Sequence, residues 1–599
     1  MASMCLFSSP LYNLPKNGFS KKHVDTFGNQ LLYSSPKTKV VAVTMETTPK
    51  ITRRSGNYPP TLWSHDHLQS LTSKYTGEEC MARSEVLKEE VRTLIDNENL
   101  KSENPLSILN LIDYLERLGI AYHFVNEISN ALEDMYECYY KSPEKWIDMD
   151  LNLKSLGFRL LRQHGYHIPQ DIFGDIKAKT TGIVKRHSKE DIVCMLNLYE
   201  ASYLSVDDEH ILDKARDITT KYLKAISLES IDDQYISSLI SHTLAFPLQW
   251  RVARLEAKWF IEAYTIRTDM NPMLLEFAKL DYNMVQAIHQ QDLKHASRWW
   301  RSTSWDKKLS FARDRIMENF LWTVAVNHRP QFSDLRRSLV KIFSMITTID
   351  DVYDVYGTLE ELELFTDVVG RWDINVIEEL PDYMKTCFFV LHNTINDIAF
   401  ETFTESEFVI LPYVVKAWED LCKAYLLEAQ WYHNGYMPTL EQYLDNARVS
   451  ISVPLMLMHI NFSLSLAVCS TEEVLQNMDK TENIVRYSGL ILRFADDLGT
   501  SSGEMKRGDV PTSIQCYMHE NGATEEEARA YVQMLILETW KKLNKERAGA
   551  AKSLYLKEFA DCATNFSRMA QFMYQEVDGH GERPDVTKTH ILPILVNPI

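Results

Sequence analysis

From Leu68 toward the C-terminus, apolar residues return every third or fourth position. Ile108, Ile112, Leu115 and Leu118 form one such run, and Leu212, Ala215, Ile218 and Tyr222 form another. That period gathers them on one stripe of an α-helix. Only 20 glycines and 20 prolines are spread over 599 residues, roughly 7% where soluble proteins average about 12%. A many-stranded fold would lack turn formers, so an all-α protein is expected. The chain is 45% hydrophobic, enough for large cores, and its length predicts more than one.

Charge and cysteine usage exclude several classes. A formal net charge of −19 disfavours a nucleic-acid partner, because phosphate backbones would be repelled. Apolar runs such as Val453-Pro454-Leu455-Met456-Leu457-Met458 fall short of the ~20 residues that cross a bilayer, so no membrane span is expected. The nine cysteines form no CxxC or CxxH pair, which argues against structural zinc and a disulfide framework. Up to Thr52 the acids are Asp25 and Glu46, against Lys16, Lys21, Lys22, Lys37, Lys39 and Lys50 among serines. That composition predicts an organellar transit peptide over 1–52, the alternative being a disordered tail with no address.

The segment Thr348-Ile349-Asp350-Asp351-Val352-Tyr353-Asp354 sets a DDxxD pattern in an apolar helical stretch. Asp350 and Asp354, at i and i+4, share a face and can aim two carboxylates at one point. Beside Phe343, Met345, Ile346 and Ile349, unpaired carboxylates would cost several kcal/mol each. A compensating charge is therefore expected, such as Mg²⁺ carrying a phosphate-bearing substrate. A solvated helix end would tolerate the same acids. A second cluster separates the readings: Asp496, Thr500 and Glu504 fall at i, i+4 and i+8, one helical stripe with about 40° of drift per step. Two carboxylates and a hydroxyl suit Mg²⁺ or Mn²⁺ and do not suit zinc.

Cations recur beside both clusters. Arg313-Asp314-Arg315 precedes the first, Arg493 stands one turn before Asp496, and Lys506 and Arg507 follow Glu504 in an expected loop. Guanidinium forks match phosphate oxygens bidentately. Each alone would also suit a surface ion pair; their recurrence points to a diphosphate. Breaks fall at Ser102-Glu103-Asn104-Pro105, at Gly165 and at Thr268-Asp269-Met270-Asn271-Pro272. The last is taken as a domain boundary, giving 68–270 and 271–599, with Pro272 in the first turn of a new helix. In 68–270 the nearest acidic pattern, Asp148-Met149-Asp150-Leu151, lacks the fourth-position acid of a DxDD proton donor. The chemistry is expected in 271–599.

With Arg53-Arg54-x8-Trp63, Phe158-Arg159-Leu160-Leu161-Arg162, Leu198-Tyr199-Glu200-Ala201-Ser202, Arg298-Trp299-Trp300 and Asp578-Gly579-His580-Gly581, these motifs together resemble a plant class I terpene synthase of the monoterpene type. The resemblance runs from Arg53 to the C-terminus. It implies an N-terminal α-barrel without its own active site at 68–270, a C-terminal catalytic helical bundle at 271–599, and a tandem-arginine segment at 53–67 that caps the site. It also implies a plastid (chloroplast stroma) destination and a monomer, with a dimer as the alternative. Three Mg²⁺ or Mn²⁺ ions follow from the family: Asp350 and Asp354 would hold two, and Asp496, Thr500 and Glu504 the third. Asp351 would support this shell through hydrogen bonds.

The implied reaction is metal-triggered ionisation of geranyl diphosphate. Arg313 and Arg493 would stabilise the leaving diphosphate, with Lys506 able to replace a lysine that many relatives carry where Thr512 stands here. Asp496 stands where many carry Asn. The carbocation needs an apolar, aromatic pocket. Trp322, seven residues after Arg315, and Phe343, seven before Asp350, are the candidates, Phe343 being expected toward the metal end; both could instead be ordinary packing between helices. Pro454 should kink its helix and free carbonyls near Ser450 and Ser452, and Tyr574 and His580 belong to the capping C-terminal segment. A narrowing Phe343 favours an acyclic product, ocimene, myrcene or linalool. The intact Arg53-Arg54-x8-Trp63 favours cyclic limonene or α-terpineol, and Leu492 stands where isoprene synthases resemble one another in having Phe. A sesquiterpene substrate is a further alternative. A chain-elongating prenyltransferase would carry two DDxxD motifs, and a non-catalytic helical binder would not need the acids.

Overall fold

A computed structural model describes residues 53–599 apart from 101–103, 148, 175, 182–187, 508–510, 576–577 and 582. The expected transit peptide, 1–52, and Asp148 lie outside the described residues. Arg53–Ile599 forms one compact unit. Its elements are helices, and no strand occurs among the described residues, as the low glycine and proline content predicts.

Two hydrophobic cores organise the unit. The first is built by helices from Glu78–Leu100 through Ala253–Thr265. The stripe Ile108, Ile112, Leu115 and Leu118 is buried there, as are Leu212, Ala215 and Tyr222. Buried ion pairs pin it: Arg159 donates to Asp113 at 2.5 Å and Arg162 to Glu209 at 2.6 Å. Both arginines come from the Phe158–Arg162 string, which the ion pairs fix inside this core. Helix α1 (Pro272–Thr303) starts at the expected break. The Asn271 side chain accepts from the Met273 N–H at 3.0 Å, and Pro272 stands where a missing N–H costs nothing. Up to Tyr282 this helix packs into the first core, and from Leu293 into the second.

The second core holds α2 (Ile316–Val326), α3 (Ser333–Asp351), α4 (Leu359–Arg371), α5 (Asp382–Ser406), α6 (Leu411–Asn434), α7 (Leu440–Ser450), α8 (Val453–Ala467), α9 (Thr471–Arg507), α10 (Ser513–Asn521), α11 (Glu525–Ala550) and α12 (Leu554–Met573). Central to them is α8, packed on α3, α6, α9 and α12. It is apolar on nearly every side, as a helix surrounded by other helices must be. The stretch Leu440–Ala467 is long and apolar enough by composition to cross a membrane, yet 61% of its most apolar 18-residue window is buried inside the protein. It is also interrupted, because Ser452 adopts φ 66° between α7 and α8.

Three local expectations are corrected. Pro454 does not kink a continuous helix; it sits in the first turn of α8, after a full break at Ile451–Ser452. Lys506 and Arg507 are not in a loop, since α9 continues through Arg507; the Lys506 side chain lies outside the described residues. The DDxxD helix does not stay α: after Asp351 it widens into a π turn, Val352–Tyr356, a feature that often marks functional sites.

Candidate active site

One cavity of about 480 Å³ opens among α2, α3, α6, α7, α8, α9 and α12, within the range of small-ligand sites. Asp350 and Asp354 stand on one wall, Asp496, Thr500 and Glu504 on the opposite stripe of α9, and Arg313, Arg493, Trp322, Phe343 and Tyr574 also line it. Asp351 does not reach the cavity. It is fully buried and accepts the Arg313 backbone N–H at 2.7 Å, with the Arg313 Nε 2.9 Å from its other oxygen. Arg313 then extends Nη2 to Asp350 at 2.5 Å.

On α9, Arg493 reaches Asp496 at 3.2 Å and Asp497 at 3.5 Å. Asp497 is buried and saturated by the Tyr443 hydroxyl, 2.9 Å, and the Ser513 N–H, 2.9 Å. The Tyr574 phenol bonds Asp496. That approach depends on Gly499, where a Cβ would stand 2.9 Å from the Tyr574 Cβ and 3.1 Å from its carbonyl oxygen.

Residues 53–63 cross the mouth. Arg53 forks onto Glu361 at 2.8 and 2.9 Å and donates to the Tyr356 carbonyl, while Arg54 donates to the Asp354 carbonyl at 3.0 Å and lies over the Tyr432 ring. Tyr58 lies against the Arg313 guanidinium, 4.7 Å from ring centre. Arg315, expected to share a helix face with Trp322, is instead the residue before α2. It points away from the cavity and ties down the Pro59, His580 and Gly581 carbonyls.

Trp322, Phe343 and Phe566 form an aromatic cluster with centroids 5.8, 6.0 and 6.4 Å apart. Phe343 belongs to this floor and not to the metal end, because seven residues of helix put it about 10 Å below Asp350, with Ile346 and Thr347 lining the wall between. Sequence reasoning missed Phe566, Tyr58, Tyr425, Glu428 and Tyr443, and gave Asp578 only as part of a family-like string. Glu428 carried a signal: it falls on the buried Leu421–Tyr425 stripe of α6, where an acid has no packing purpose.

The electrostatics fit hard cations. Burial raises the Asp496 carboxyl to about 7 and the Asp351 carboxyl to about 6. Asp354 is open to the cavity, but the enclosing walls and then the Asp350 and Glu428 carboxylates raise it well above the usual range. Glu504 is raised likewise by burial and by Asp496. Such carboxylates need positive charge to stay ionised. Their donors are all oxygen, which suits Mg²⁺ or Mn²⁺. Among the described residues no three acid, His or Cys side chains converge on one point. Ions shared between the walls would therefore need phosphate oxygens or water to complete their shells, as Mg²⁺ usually does. The Arg493 side chain lines the cavity, so a guanidinium is on hand there for an anion.

The comparisons with known proteins agree with this site. The family model "Terpene synthase family, metal binding domain" matches residues 301–542, and "Terpene synthase, N-terminal domain" matches 62–244. The chain is a terpene synthase. It is similar to a chloroplastic R-linalool synthase of Artemisia annua, 59% identical over 94% of each chain. A limonene synthase crystallised with 2-fluorolinalyl diphosphate superposes with a TM-score of 0.85 at 40% identity, over 92% of this chain and 100% of that one. Isoprene synthase of grey poplar, with three Mg²⁺ ions and dimethylallyl-S-thiolodiphosphate, gives 0.79 at 42%, over 90% and 99%. Like other terpene synthases the chain is a carbon–oxygen lyase of all-α architecture.

Proposed function

We propose that this terpene synthase is a plastidial monoterpene synthase that ionises geranyl diphosphate to an acyclic C10 product, linalool foremost. The observation that carries the reading is the pairing of two oxygen-ligand walls, Asp350/Asp354 and Asp496/Thr500/Glu504, above one aromatic floor. The 59% identity to a linalool synthase named as chloroplastic supports both the acyclic product and the compartment. Three Mg²⁺ ions, as in the isoprene synthase complex, or Mn²⁺ in their place, would be held by those five side chains. When bound they supply positive charge to the diphosphate oxygens. Domain roles follow the same reading: 271–599 catalytic, 68–270 structural, and 53–67 a cap.

The diphosphate lies between the acidic walls, where Arg313 and Arg493 are preorganised donors. The C1–O bond breaks heterolytically and its electron pair leaves on a diphosphate oxygen. The allylic cation faces the Trp322, Phe343 and Phe566 rings, each able to contribute ~0.5–2 kcal/mol. Loss of a proton gives an acyclic olefin; addition of water and loss of its proton gives linalool. Residues 53–63 would limit water entry once the substrate is seated, while the cation exists. A cyclic outcome is the second reading, favoured by the same strap and by the limonene synthase likeness. Incubating the chain with geranyl diphosphate and Mg²⁺ and analysing volatiles by gas chromatography tests both: linalool or another acyclic C10 compound is expected, cyclic products would support the second reading, and no C10 product would overturn both.

A further inference from the structure

Ionisation of a diphosphate requires no acid at Glu428, yet this buried side chain on α6 lines the cavity with Asp354 and Arg493. Its Oε1 accepts from the Ser450 hydroxyl at 2.5 Å and from the Asn446 amide at 3.1 Å. The same Asn446 nitrogen donates to the Ala424 carbonyl at 3.0 Å, so α7 is clamped across one turn of α6. Ser450 has one hydroxyl proton, and Glu428 takes it. The lone pairs of that oxygen are left to accept Nη2 of Arg493, at 3.2 Å.

Ser450 is the last residue of α7, just before the left-handed Ser452. Its backbone ends a helix there, so side-chain bonds decide where its hydroxyl points. Arg493 is meanwhile divided between two demands, Ser450 on one side and Asp496 on the other. Released from Ser450, the guanidinium would close on Asp496 and occupy a carboxylate oxygen that the metal chemistry needs.

We propose that Glu428 is a positioning residue for diphosphate capture: by fixing the Ser450 hydroxyl as an acceptor, it holds the Arg493 guanidinium in place on the cavity wall for an anion between the two acidic walls. The inference rests on the diphosphate reading above. A carboxylate is the strongest neutral-pH acceptor for a serine hydroxyl, and Gln retains an acceptor oxygen of the same reach.

Titration calorimetry of the full chain with inorganic pyrophosphate in Mg²⁺ tests it without turnover. Glu428→Ala and Ser450→Ala should each weaken pyrophosphate about tenfold, and the double variant should be no worse than either, because they act on one bond chain. Glu428→Gln should recover to within about threefold of the parent. In turnover assays the Ala variants should raise KM for geranyl diphosphate more than they lower kcat. Additive losses, unchanged affinity in Ser450→Ala, or Glu428→Gln as weak as Glu428→Ala would each overturn the proposal. Should Glu428→Ala fail to fold, Ser450→Ala alone decides it. Pyrophosphate binding without C10 turnover in the parent chain would refute the functional reading and leave this one standing.

Discussion

Arg313 closes on Asp351 from two directions, its backbone N–H 2.7 Å from one carboxylate oxygen and its Nε 2.9 Å from the other. The middle acid of the DDxxD motif is thus spent on aiming the arginine that meets Asp350. Asp351→Ala should leave a buried guanidinium Nε and the Arg313 backbone N–H without their acceptor and destabilise the fold by ~3–5 kcal/mol. Thermal melts should show a clear drop, larger than that of Asp350→Ala, whose side chain is 28% exposed. Equal melting temperatures would contradict the buried-pair account.

Asp350→Ala and Asp354→Ala should lower kcat by ~10²–10³, the cost of removing one preorganised electrostatic group. Circular dichroism should remain that of the parent, since neither side chain packs a core. Near-normal turnover in either variant would refute the metal assignment.

Below about pH 7 the Asp496 carboxyl of the metal-free protein holds its proton, so Mg²⁺ must displace it. Metal affinity should fall as pH drops from 8 to 6, with proton release on binding visible in buffers of different ionisation enthalpy. The linkage has the opposite sign for stability. An acid whose folded pKa is raised binds its proton more tightly when folded, so the metal-free protein should lose stability as pH rises from about 4 to about 7. Urea midpoints across that range, with and without Mg²⁺, check this; a flat or rising metal-free profile would exclude it.

Phe343→Ala should open the aromatic floor beside Trp322 and Phe566 and let the prenyl chain fold back on itself. The cyclic share of the products should increase, measured by gas chromatography at matched conversion. An unchanged product ratio would remove Phe343 as the determinant of chain folding.

Arg53 binds Glu361 through two parallel bonds that lysine cannot reproduce. Arg53→Lys should therefore loosen the strap although the charge is kept, making the 53–63 segment several-fold more sensitive to limited proteolysis. Protection equal to the parent would show that Glu361 does not anchor it.

The helical class, the break at Pro272, the two acidic stripes and the arginines beside them were determined by the sequence alone, because periods of three to four residues and i, i+4 spacings are local properties of one helix. Tertiary structure decided what local spacing does not encode. Arg315 and Trp322 are seven apart but share no helix, since α2 begins at Ile316. Phe343 lies at the floor because α3 runs downward from Asp350, and its partner Phe566 comes from a helix more than 200 residues away in sequence. Glu428 looked like one of 83 acids until α6, α7 and α9 brought it to Ser450 and Arg493. Which side chains share a cavity is set by the packing of helices that are distant in sequence, and that packing depends on the summed burial of whole faces and on no single motif.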